Sequence, residues 1–89
     1  MDLDRADPKG LMRESYAIEG ITGGECRSIF LDWALSLAAG VDAREAMRVL
    51  LVRYGEPEPA HPMTAVLQAG LTAGEPPRRR GGRAGRVSP

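Results

Sequence analysis

The residues best suited to chemistry are the only cysteine and the only histidine of the chain, Cys26 and His61. A nucleophilic cysteine needs a lowered pKa and a nearby base. Cys26 lies near the start of a predicted helix, which would favour a thiolate, but it is in helical register with Phe30 and Trp33. Free cysteines in such apolar rows are usually buried. The sequence therefore predicts a core cysteine.

The surroundings of His61 predict a structural role as well. His61 stands directly before Pro62, where a helix is expected to begin, so we interpret it as a helix-entry residue. A zinc site needs about four ligands, and one cysteine and one histidine with scattered carboxylates do not supply them. We predict no catalytic residue, no metal site and no cofactor, and hence a protein that is not an enzyme.

A glycine-rich stretch at residues 20–24 precedes a predicted helix start, where anions can bind. A phosphate-binding P-loop would need a strand before the glycines and a Lys-Ser/Thr pair after them. Neither is present. The stretch is therefore predicted to be a turn between two helices.

Residues 32–51 resemble a helix-turn-helix, because small and apolar residues fall at its usual positions: Ser36, Ala39, Gly40, Val41, Ala46 and Val49. The resemblance implies that the helix after Asp42 is a recognition helix, with Arg44 and Arg48 facing the major groove. In that arrangement Met47 and Leu51 would lie on the exposed side, which favours an ordinary helix pair instead.

The last residues resemble the arginine-glycine segments of RNA-binding proteins. Arginine binds phosphate and stacks on bases, and flexible glycines let it adapt. The resemblance implies weak RNA or DNA contact through Arg78, Arg79, Arg80, Arg83 and Arg86. The alternatives are a solubilising tail of GC-biased composition, or docking onto an acidic protein surface. Residues 74–89 contain one large apolar side chain and are predicted to be disordered.

Length and charge limit the possible classes of protein. The 89 residues suffice for one domain. Residues 1–74 hold seven basic and eleven acidic residues, a net charge of −4, and residues 75–89 carry +4. The chain shows neither a secretory signal nor an apolar run of the roughly 20 residues that a membrane span needs. With a lone thiol, these features predict a cytoplasmic protein without membrane contact.

Four helical segments would carry these residues. The first is expected to begin at Asp7-Pro8, the second after a capping box of Thr22 and Glu25, the third at Asp42 with its end at Gly55, and the fourth at Pro62. No segment alternates as a strand does. We predict an all-α fold, a small three- or four-helix bundle of residues 7–73, with the helix of residues 25–39 at its centre.

The central helix is apolar on two faces, and a chain of this length cannot easily cover both. One row contains Phe30 and Trp33, and the other contains Leu31, Leu35 and Ala38, which we predict to be an interface. The sequence thus predicts a small interaction or adaptor protein. Its partner would be a second copy in a homo-oligomer, or another protein.

Overall fold

The computed structural model describes residues 1–73, and all regular structure in that range is helical. The α-helices are α1 (Leu3–Ala6), α2 (Leu11–Ala17), α3 (Gly23–Ser36), α4 (Ala43–Leu50) and α5 (Pro62–Ala73), and a π-helix, Leu51–Gly55, continues α4. The predicted all-α class is confirmed. The tail predicted to be disordered, residues 74–89, lies outside the described residues.

Three helix starts lie where the sequence predicts them. The Thr22 hydroxyl accepts a hydrogen bond from the Glu25 amide at 3.1 Å, and the Glu25 carboxylate accepts one from the Thr22 amide at 3.0 Å. The Asp42 carboxylate accepts from the Arg44 amide at 3.0 Å, and α5 begins at Pro62. Side-chain caps act over two or three residues, so they can be read from the sequence.

The helix predicted to begin at Asp7 begins instead at Leu11, and the prediction of its start was wrong. The Asp7 carboxylate does cap this helix, but it reaches across a loop to the amides of Met12 and Arg13, both at 3.1 Å. A short helix that was not predicted, α1, precedes it. Ala6 in α1 is fully buried, so the packed body extends to residues before position 7.

The central helix was predicted to run to residue 39, but α3 ends at Ser36. Leu37 adopts an extended backbone conformation and packs against the core, which takes the chain off the helix axis. The Ser36 hydroxyl donates to the Trp33 carbonyl at 2.7 Å. The turn then passes through Gly40, whose φ of 87° is one that side-chain-bearing residues rarely adopt.

The third predicted helix does extend to Gly55, but its last residues form the π-helix. A Cβ atom on Gly55 would lie 2.9 Å from Leu51 Cδ2 and 3.3 Å from Thr64 Cγ2. A side chain at this position would displace Leu51 and Thr64, so glycine favours the close packing of the π-helix on α5. The same wide turn carries Tyr54 toward α2, where its ring stacks on Tyr16.

The core forms around α3, which packs on α2 and α5, while α5 also packs on α4 and the π-helix. Close approach of α5 depends on Gly70, where a Cβ atom would lie 3.0 Å from both Met47 Sδ and Phe30 Cζ. The largest fully buried side chains are Trp33, Met12, Met47, Leu50, Met63 and Leu67. Within residues 1–73, none of the helices has the length and apolar character that a bilayer crossing requires.

Candidate functional site

Cys26 occupies the predicted core position and is fully buried. Burial raises the pKa of its thiol, the Glu25 carboxylate raises it further, and the Arg27 guanidinium partly opposes both. A raised pKa keeps the sulfur protonated at neutral pH, and a thiol is a poor nucleophile compared with a thiolate. The structure therefore places Cys26 in a setting that suppresses its reactivity.

His61 caps α5, in agreement with its interpretation as a helix-entry residue. Its Nδ1 atom accepts a hydrogen bond from the Met63 amide at 3.0 Å. Because Nδ1 is the acceptor, Nε2 carries the proton of the neutral ring. Nε2 is buried and has no hydrogen-bond partner among the described residues. The imidazole therefore acts as a cap at the start of α5, because its hydrogen bond is with a backbone amide.

An aromatic and hydroxyl cluster surrounds His61. The Tyr16 ring lies 4.3 Å from the His61 ring and 5.3 Å from that of Tyr54, between ring centroids. The Tyr16 and Thr64 hydroxyl oxygens are 2.6 Å apart, and Thr64 donates to the Glu58 carbonyl at 2.9 Å. Since Thr64 has one hydroxyl proton, Tyr16 must be the donor to Thr64. The cluster joins α2, the π-helix and α5.

Sequence reasoning missed this cluster, because its members are far apart in the chain and follow no shared spacing. Tyr16 and Thr64 are separated by 48 residues. The contact depends on how α2 packs beside α5, which a local pattern cannot show. Its hydrogen bonds connect side chains to one another and to backbone, so the cluster stabilises the packing of three elements.

The Tyr16 phenol makes stability depend on pH in alkaline solution. Burial raises its pKa from the ordinary 10.0, and the nearby Glu58 carboxylate raises it further. Because Tyr16 donates to Thr64, that hydrogen bond also favours the protonated phenol. Because the pKa of the phenol is higher in the folded protein than in the unfolded chain, its contribution to the free energy of unfolding is complete below pH 10. This contribution is lost as the pH rises through the folded pKa. We expect the free energy of unfolding of Tyr16→Phe to fall less steeply above pH 10 than that of the natural protein, as measured by urea titration.

The control for this prediction is Cys26→Ala, because the thiol pKa is also raised, from 9.0. That variant should lose the part of the alkaline slope that begins near pH 9 and keep the part due to Tyr16. Equal slopes for Tyr16→Phe and the natural protein would show that the phenol does not titrate differently in the two states.

The predicted interface row is exposed on α3. Leu31 is 45% exposed and Leu35 52% exposed, one helical turn apart, while Phe30 and Trp33 on the same helix are buried. Ala38 is also exposed, but it lies beyond the end of α3 and does not continue the helical row. We call the exposed side of this helix, which comprises Arg27, Leu31, Asp32 and Leu35, the α3 outer face.

The candidate nucleic-acid residues belong to two parts of the chain, α4 and the C-terminal tail. Arg48 is exposed on α4 and Arg44 is half-buried near its start, while Met47 between them is fully buried. The helices that would form a helix-turn-helix pack chiefly on other elements: α3 on α2 and α5, and α4 on α1, the π-helix and α5. The five tail arginines, Arg78, Arg79, Arg80, Arg83 and Arg86, lie outside the described residues.

Within residues 1–73, no group of three or more histidine, cysteine, aspartate or glutamate side chains is placed to hold a metal ion. The chain matches no family model, no curated protein and no solved structure. Clues to function must therefore come from the surface that these residues present. Two surfaces combine apolar side chains with exposure: the α3 outer face, and a groove beside α1.

Proposed function

We propose that this chain is a small non-catalytic interaction protein that self-associates through the α3 outer face. The observation that carries the proposal is the exposure of Leu31 and Leu35 in the C-terminal half of α3, the longest helix of residues 1–73. Isolated exposed leucines are common on protein surfaces. Two that lie one turn apart, on a helix whose opposite side is the core, form a continuous apolar ridge of the kind that pairs with another helix.

A second copy is a suitable occupant because the α3 outer face is electrically balanced. Arg27 contributes one positive charge and Asp32 one negative charge, while the carboxylate of Glu25 at the helix start accepts a hydrogen bond from the Thr22 amide. Two such faces related by a twofold axis therefore meet without a net local charge. The full chain has a net charge of zero, so we expect the association to depend only weakly on added salt.

The size of the ridge limits the expected affinity. A stable dimer buries about 800 Å² on each partner, and two half-exposed leucines provide only part of that area. We therefore expect a dimer that dissociates on dilution, with a dissociation constant between about 1 µM and about 1 mM. Such reversible association suits an adaptor whose surface is also available to another protein.

The test is the molar mass of the full chain by light scattering between about 10 µM and about 1 mM. The natural protein should shift from monomer to dimer, and Leu31→Glu/Leu35→Glu should remain a monomer. The matched control is Ala65→Glu/Ala69→Glu, which places the same two charges one turn apart on the exposed side of α5 and should still dimerise. A natural protein that stays monomeric over the whole range contradicts the proposal.

The second candidate is an accessory nucleic-acid-binding protein that uses the five tail arginines, together with Arg44 and Arg48. The exposure of Arg48 on α4 favours it, and the acidic body opposes it. The same light-scattering series with added RNA separates the candidates. Complex formation that disappears in a full-length variant with the tail arginines changed to glutamine would favour nucleic-acid binding over self-association.

A further inference from the structure

A shallow apolar groove runs beside α1, and it shares no residue with the α3 outer face. It has a volume of about 630 Å³, and its apolar lining comes from Met1, Leu3, Val49 and Val52. The groove exists because α1 packs on α4. Val52 is 62% exposed, the highest value among the large hydrophobic side chains of residues 1–73. The apolar surface thus extends outward from the half-buried Val49.

The charged groups of the groove are mainly positive. Arg48 and Arg53 line it, and both are exposed. The acidic residue of the lining, Asp2, caps α1 and accepts a hydrogen bond from the Arg5 amide at 3.1 Å. The net charge of the lining is therefore +1 on a body that is acidic overall.

The spacing of these groups fits a particular kind of occupant. Arg48 lies in the last turn of α4 and Arg53 in the π-helix that continues it, so the two guanidinium groups project from neighbouring turns of one helical segment. Val49 and Val52 lie between them in sequence, so cations flank an apolar ridge. Carboxylates on neighbouring turns of an amphipathic helix lie on one side of it, and guanidinium groups bind carboxylates in two-point contacts.

We propose that this groove binds an acidic amphipathic helix of a partner protein. The groove is open along one side, so a small carboxylate would remain half in water, whereas a helix would bring its own apolar side to cover Val52. A nucleic acid would satisfy the two arginines but would leave the valines and Leu3 without apolar contacts. The guanidinium groups of Arg48 and Arg53 bind the carboxylates of the partner helix, and Val49 and Val52 pack on its apolar side.

The test is a titration of the full-length, nitrogen-15-labelled chain with a synthetic helical peptide that has leucines on one side and glutamates flanking them. The matched probe has lysine in place of each glutamate. Amide shifts are expected at Leu3, Val49 and Val52 with the acidic peptide only. Arg48→Glu/Arg53→Glu should weaken binding at least about tenfold, and Val52→Ser about fivefold.

The matched control is Lys9→Glu/Arg13→Glu, which makes the same change in net charge at exposed basic residues outside both surfaces and should bind as the natural protein does. Equal binding of the lysine peptide would overturn the proposal, as would undiminished binding by Arg48→Glu/Arg53→Glu. Shifts centred on Leu31 and Leu35 would overturn it too. An RNA oligonucleotide that shifts Arg48 and Arg53 when the acidic peptide does not would assign these arginines to nucleic acid instead.

Discussion

Trp33→Ala is expected to lower the free energy of unfolding by about 4 kcal/mol, the usual range for a buried tryptophan being about 3–5 kcal/mol. Trp33 is fully buried, and its ring centroid lies 5.4 Å from that of Phe30. Its indole nitrogen donates to the Ala6 carbonyl at 2.6 Å. The substitution therefore opens a cavity beside α3 and also releases α1.

The loss is large in relation to the whole protein. Small domains have total stabilities near the lower end of about 5–15 kcal/mol. Each kcal/mol corresponds to about 4–8 °C in melting temperature for a domain of this size. Thermal melting followed by circular dichroism should therefore show Trp33→Ala largely unfolded at 37 °C, or melting at least about 15 °C below the natural protein.

Two further variants serve as comparisons: one removes the hydrogen bond but keeps most of the buried volume, and the other changes an exposed position. Trp33→Phe retains most of the apolar volume but leaves the Ala6 carbonyl without its partner, so it should cost about 1–3 kcal/mol. Leu35→Ala, on the exposed side of the same helix, should change stability by less than about 0.5 kcal/mol. A Trp33→Ala protein that melts with the natural one would show that α1 and the indole contribute little to the core.

The elements that the sequence predicts correctly are those whose signals are local. The capping box joins Thr22 and Glu25, three positions apart, and Asp42 caps an amide two positions ahead. Asp7-Pro8 carries the same kind of signal, but there the carboxylate reaches five and six residues ahead and the helix starts later. Only the tertiary fold decides between those two uses of an aspartate.

The end of α3 and the π-helix show the same limit. Gly40 has the left-handed conformation expected of a helix stop, but Leu37 leaves the helix earlier because its side chain packs on the core. The π-helix ends at Gly55, where a Cβ atom would make an unusually tight contact of 3.3 Å with Thr64 Cγ2 of α5. Contacts between residues distant in the chain determine both features.

Of the two candidate surfaces, one could be predicted from local sequence and the other could not. The exposure of Leu31 and Leu35 follows from counting the faces of one helix, so the sequence could indicate it. The groove could not be anticipated, because it requires α1, a helix of four residues that is too short to show a helical period and whose one local signal is the cap at Asp2. Arg48 was singled out for DNA from its position on α4, whereas its pairing with Arg53 beside Val52 becomes visible only when α1 is in place.

Cys26 is expected to resist thiol reagents in the folded protein by a factor of at least about a thousand. It is fully buried, and burial raises its pKa, so both access and thiolate fraction are reduced. Reaction then requires unfolding, and a free energy of unfolding of about 4 kcal/mol leaves about one molecule in a thousand open. The rate of reaction with a chromogenic disulfide should therefore rise by that factor in urea.

The matched control carries the thiol on the exposed side of the same helix, in the variant Cys26→Ala/Leu35→Cys. Because Leu35 is 52% exposed, the new thiol should react at nearly the rate of the denatured chain with or without urea. The comparison bears on function as well as packing, since a catalytic cysteine must be accessible and ionised. Rapid reaction of Cys26 in the folded natural protein would contradict the core assignment, and it would reopen the possibility of chemistry at the one thiol of the chain.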